Sequence, residues 1–340
     1  MDVPTWVWIA TGVAALVIFT FDLVVVGRQP HEPSMKECSI YLSIYVSLAI
    51  LFGLGVWWTS GGTLALEFYS GWLVEYSLSI DNLFIFIIIM SKFAVPRELQ
   101  QYALMIGIVM ALIMRAIFIA VGAAAINNFS WVFYLFGLFL IYTAAKLARE
   151  GGEDEDEYEE NKLVAWVEKR FPATKEWHGK QIFTSSGGKR LITPMFIVIL
   201  TLGTTDLLFA LDSIPAIFGI TKEPYLVLTA NIFALMGLRQ LYFLIGGLLQ
   251  RLIYLSYGLA FLLLFIGVKL ILHAMHENEL PFINGGKHIE WAPDIPIWLS
   301  LVVIVGTLAV TAVASLAVSS RMSSAEQDAA TGPRRDWEDD

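Results

Sequence analysis

The chain has 340 residues, 57% of them hydrophobic and only 16% charged, with a mean hydropathy of +0.66 and a formal net charge of −9. That profile lies outside the range of soluble domains and marks a polytopic membrane protein. The acidic balance offers no surface for nucleic acid, and the single cysteine, Cys38, excludes an internal disulfide.

Apolar runs long enough to cross a hydrocarbon core, which takes ~20 helical residues, occur near 5–26, 38–58, 65–90, 99–122, 130–148, 193–220, 225–248, 252–273 and 296–318. Helices are expected, because a lipid-embedded segment must satisfy its own backbone groups. The alternation of a membrane β-barrel is absent. The first run follows MDVPT, which carries no positive charge, and reads as a retained helix rather than a signal peptide. It and the second run form a peripheral pair over 1–64.

Three spans over 65–148 make one unit, and three over 193–273 make another. Between them, 149–192 reads as a cytoplasmic insert. It holds the acidic run EDEDEYEE (153–160), an amphipathic NKLVAWVEKRF with Leu163, Val164, Val167 and Phe171 on one face, and a turn-forming TSSGGK (184–189). An interfacial helix followed by a hairpin is expected there, with protein partners as one use of the insert. A loop and the ninth span fill 274–318, and 319–340 reads as a disordered acidic cytoplasmic tail. With the N-terminus outside, sixteen Lys and Arg fall on the cytoplasmic side and only Lys222 and Lys287 outside, as the positive-inside rule requires.

The two units share one charge pattern. Glu75 and Asp81 match Asp206 and Asp212 in spacing. Arg115 and Arg239 follow in the next span of each unit, and Lys146 and Lys269 in the one after. An odd number of spans per unit turns the second upside down, so the expected fold is all-α with nine transmembrane helices and two inverted three-helix repeats. This is a transporter plan whose sites lie near the midplane.

An ionised side chain at a helix centre costs ~2.5–3.5 kcal/mol, so the four acids need compensation from Arg115 and Arg239 as counterions, from protons or from a bound cation. Two acids six residues apart lie about 120° apart on a regular helix. Ser79-Ile80-Asp81-Asn82 resembles an N-cap and Pro215 removes a helical hydrogen bond. Breaks are therefore expected at about 77–81 and 208–212, with freed carbonyls joining the carboxylates. Oxygen donors without Cys or His in the repeats suit Mg²⁺, Ca²⁺ or Mn²⁺, with Asn82, Ser213 or Asn231 completing the shell. Glu67 is a further acid. His273 and His276, three apart near Glu277, form a secondary candidate metal site, and Asp22 is expected to pair with Arg28 near the boundary.

In EFYSGWLVEYSLSIDNLFIF (67–86), TPMFIVILTLGTTDLLFALDSIPAIFGIT (193–221), LTANIFALMGLRQLYFLI (228–245) and GGKR (187–190), the chain resembles the TerC family of integral membrane proteins, named for tellurium resistance and including members linked to manganese efflux. The resemblance spans about 10–273. It implies that Glu75, Asp81, Asp206 and Asp212 bind a divalent cation. Tellurite, an anion, would be repelled by such a site.

The expected function is export of a divalent cation, with Mn²⁺ as the substrate ion, by alternating access with proton antiport. The setting is the bilayer of a bacterial inner membrane, with the C-terminus cytoplasmic and a role in metal homeostasis or tellurium resistance. No enzyme activity and no organic cofactor are expected. Two other readings stay open: a Ca²⁺/H⁺ or other cation exchanger on the same scaffold, and a membrane scaffold for stress-response partners.

Overall fold

The computed structural model describes residues 3–28, 33–129, 131–150, 172–174, 176–186, 189–245, 254–278, 280, 283–289, 291–293 and 295–319. The acidic run, the amphipathic stretch at 161–171 and the tail lie outside them. Helices α1 (Thr5–Arg28) and α2 (Met35–Ser60) precede α3 (Gly62–Lys92), α4 (Arg97–Asn128) and α5 (Val132–Glu150). A hairpin of β1 (Phe183–Ser186) and β2 (Lys189–Ile192) leads into α6 (Pro194–Phe218), α7 (Pro224–Met236), α8 (Leu238–Ile245), α9 (Leu255–His276) and α10 (Ile297–Ser319). Among the described residues nine spans are long and apolar enough to cross a membrane, α7 and α8 together making one of them.

Local chemistry explains where several helices start. Ser34 caps α2, its hydroxyl accepting from the Glu37 N–H at 3.2 Å. Thr193 caps α6 and Pro194 opens it, while Pro224 opens α7, positions where a missing N–H costs nothing. The expected hairpin is present: Ser186 pairs with Lys189 across Gly187 and Gly188.

The expected helix breaks are not. Helix α3 is continuous through 77–81, and α6 is continuous through 208–212 despite Pro215. A proline removes one donor only, whereas unwinding in apolar surroundings would strand several backbone groups. The interruption falls instead at Gly237, between α7 and α8.

The two units interlock reciprocally. Helix α3 packs on α7 and α4 packs on α6, while α5 pairs with α9. Exchanging the units maps this pattern onto itself. At the crossing of α5 and α9 the backbones touch through glycine. A Cβ on Gly137 would lie 2.8 Å from the Gly267 carbonyl oxygen, and one on Gly267 would lie 2.9 Å from that of Gly137. Backbone cannot step aside as a side chain can, so Gly137→Val should destabilise the protein by about 1–3 kcal/mol, read as a lowered melting temperature in detergent. An unchanged melting temperature would contradict this crossing.

Two apolar clusters fill the bundle. One gathers Phe68, Trp72, Ile119, Ala210, Ile214 and Tyr225. The other gathers Leu83, Phe86, Leu104, Ile108, Val198 and Leu202. On α3, α4 and α6 the boundary between the clusters falls on the same level, and Glu75, Arg115 and Asp206 lie there.

Candidate cation site

Arg115, on α4, is 1% exposed and sits among oxygen atoms from three other helices. Its Nε and Nη2 donate to Asp206 Oδ2 and Oδ1 on α6, at 3.0 and 3.2 Å. This two-pronged geometry is what a planar guanidinium offers a carboxylate. Its Nη1 pairs with Glu75 on α3 and donates to Asn231 Oδ1 on α7 at 3.0 Å and to Ser213 Oγ on α6 at 3.3 Å. Asn231 is held in that orientation because its amide nitrogen donates to the Val227 carbonyl at 3.0 Å. Glu75 is 0% and Asp206 1% exposed. The layer is buried and oxygen-lined, with two carboxylates facing one guanidinium.

Of the residues expected at the site, Glu75, Asp206, Ser213, Asn231 and Arg115 are brought together. Asp212 is not. Because α6 stays regular, Asp212 is rotated about 120° from Asp206, and it accepts from Thr143 Oγ1 on α5 at 3.1 Å. Asn82 is buried two turns beyond Glu75. The side chain of Asp81 lies outside the described residues. Among the described residues no three of His, Cys, Asp and Glu gather closely enough to hold one metal ion.

Arg239 serves a different acid. Its Nη2 lies 3.2 Å from Asp22 Oδ2 on α1, and the Tyr45 hydroxyl on α2 donates to that same oxygen at 2.8 Å. Asp22 was expected to pair with Arg28, whose side chain lies outside the described residues; within them Asp22 reaches into the bundle to Arg239. With the Thr11–Tyr225 hydrogen bond of 2.8 Å, this fastens α1 and α2 to the second unit. An acid in the first span was the signal for that link, and only the fold named its partner. Asp22→Asn should lower stability by about 2 kcal/mol and leave cation affinity at the Glu75 layer unchanged. Thermal unfolding and Mn²⁺ titration on one preparation would check this, and a loss of affinity would contradict the separation of the two clusters.

Glu67 accepts from Thr221 Oγ1 at 2.6 Å, near the end of the bundle where α6 meets α7. At the same end Lys222 Nζ donates to Glu277 Oε1 and Oε2 at 3.0 and 2.9 Å and lies 4.9 Å from the Phe133 ring centre. His273 Nε2 is 3.2 Å from Glu277. Partial burial raises the Glu277 pKa, but the hydrogen bond from Lys222 and the His273 and Lys222 charges outweigh it and hold the carboxyl below its usual range. Of the expected metal pair, His273 thus shares Glu277 with Lys222. The His276 side chain is exposed, and its carbonyl accepts from His288 Nδ1 at 2.5 Å.

Residues 60–323 match the model of the integral membrane protein TerC family. The chain belongs to that family. Among relatives of this TerC protein, an uncharacterized membrane protein of Mycobacterium tuberculosis is 45% identical over 312 residues, covering 91% of this chain and 78% of the relative. One from Myxococcus xanthus is 37% identical, with 95% of each chain covered. Alx of Escherichia coli, proposed by its name as a membrane-bound redox modulator, is 34% identical over 92% of this chain and 95% of its own. No solved structure matches the chain.

Proposed function

We propose that this TerC protein is a transporter of divalent cations, with Mn²⁺ as its substrate, moving the ion through the layer formed by Glu75, Asp206, Ser213 and Asn231. One observation carries the reading. At the level dividing the two apolar clusters, Arg115 occupies a shell of two carboxylates, a hydroxyl and an amide carbonyl, which is a set of hard oxygen donors for a cation. The guanidinium holds the place of the cargo. When a divalent ion enters, it takes the carboxylates and Arg115 turns aside. The apolar clusters on both sides keep the ion from leaking while one end opens at a time.

The reciprocal packing of the units supports an inverted repeat, since a two-fold exchange gives two equivalent open states. The distribution of Lys and Arg supports an N-terminus outside and a C-terminus inside a bacterial inner membrane. Export, and a contribution to metal homeostasis or tellurium resistance, rest on the resemblance to manganese-efflux members. Proton antiport follows from carboxylates that accept protons when the metal leaves. The work is binding and movement, without covalent chemistry or an organic cofactor.

The test is flux of Mn²⁺, Ca²⁺ and Mg²⁺ into liposomes holding purified protein, with and without a pH gradient. Mn²⁺ flux that the gradient accelerates is expected. Ca²⁺ flux exceeding Mn²⁺ flux would make the protein a calcium exchanger, and no flux of any ion would favour a scaffold.

A further inference from the structure

Helix α3 carries more than Glu75 on the face it turns to the charged layer. On a regular helix Ser79 and Asn82 lie about 40° and 20° to either side of Glu75, one and two turns further on. Ser79 is 0% and Asn82 5% exposed. The Ser79 hydroxyl has no hydrogen-bond partner among the described residues. The ordinary solution for a buried helical hydroxyl is a bond to the carbonyl four residues back, which Thr201 makes to Ile197 at 2.7 Å and Thr229 to Tyr225 at 2.8 Å. Ser79 does not make it to Glu75. A buried hydroxyl left unpaired is destabilising, and native proteins retain one where a ligand, ion or water completes it. Ser70 and Ser77 are also unpaired, but they lie about 140–160° around α3 from Glu75 and face away from the layer.

We propose that Ser79 and Asn82 form a second cation station, which the divalent ion occupies between the Glu75–Asp206 layer and the end of the bundle where α3 meets α4. The inference rests on the transport reading above and adds a step to it. A hydroxyl and an amide carbonyl are neutral oxygen ligands. They hold a partly hydrated divalent cation more weakly than carboxylates do, and a path of this kind needs a stop that the ion can leave. The station borders the apolar cluster of Leu83, Phe86 and Leu104, so it is the place an ion would wait for that cluster to part.

The experiment uses the full chain in liposomes with Mn²⁺, and two variants. Ser79→Ala removes the unpaired hydroxyl, so its melting temperature should equal or exceed the parent's. Its equilibrium Mn²⁺ affinity should stay within a few-fold, while flux falls about 10-fold. Ser79→Cys, made in a Cys38→Ala parent, places a soft ligand at the station. Cd²⁺ should then block flux at a concentration about 10-fold lower than in that parent. Parental flux in Ser79→Ala, with parental Cd²⁺ sensitivity in Ser79→Cys, would overturn the station while leaving the transport reading in place. A lowered melting temperature in Ser79→Ala, without Cd²⁺ block in Ser79→Cys, would make Ser79 a packing residue and overturn it equally. If the parent moves none of the three ions, the transport reading falls and the station falls with it.

Discussion

Arg115→Gln is expected to destabilise the protein by about 3–5 kcal/mol and to abolish cation flux. Removing one partner of a buried ion pair leaves the other charge uncompensated, and that loss is of this size. Here two carboxylates, Glu75 and Asp206, lose their shared counterion at once. Glutamine cannot supply five donors, so the hydroxyl of Ser213 and the carbonyl of Asn231 lose theirs too. Arg115→Lys should rescue little, because an ammonium lacks the planar fork that engages both oxygens of Asp206. A double variant, Arg115→Gln with Asp206→Asn, removes one charge of each sign and should recover a large part of the stability but none of the flux. Thermal unfolding of the three proteins in detergent gives the comparison. Parental stability in Arg115→Gln would contradict the buried network.

The second large effect is on binding. Asp206→Asn should weaken Mn²⁺ binding by about 100-fold, roughly 3 kcal/mol, with Glu75→Gln close behind, because each removes a charged oxygen ligand from the layer. The folded protein survives either change, since Arg115 keeps its pairing with the remaining carboxylate. Asp212→Asn should leave equilibrium affinity within a few-fold, because Asp212 sits on another face of α6 against Thr143. Titration calorimetry with Mn²⁺ on the three variants separates these outcomes. If Asp212→Asn abolished binding and Asp206→Asn did not, the site would have to be relocated toward α5.

Much of this architecture is written locally and so could be read without coordinates. Span length and hydropathy depend only on what lipid tolerates, and the nine spans appear within a few residues of the apolar runs. Capping at Ser34 and Thr193 and the pairing of the two hairpin strands are likewise short-range chemistry. The cost of charge in lipid singled out four acids and two arginines, of which Glu75, Asp206 and Arg115 meet, joined by Ser213 and Asn231 from the neutral oxygen donors.

Which charges meet, however, depends on rotation about helices and on neighbours far along the chain. The sequence shows two equivalent acid pairs, yet an unbroken α6 turns Asp212 away from Asp206, since a regular helix is cheaper in an apolar bundle than stranded carbonyls. It shows two equivalent arginines, yet Arg239 is taken by Asp22, 217 residues earlier, while Arg115 takes Glu75 and Asp206. By itself, then, the sequence determined a nine-span membrane protein with an acidic, oxygen-donor interior. Tertiary structure alone decided that Arg115 would pair with Glu75 and Asp206 and Arg239 with Asp22, because a buried charge takes the partner that packing places beside it.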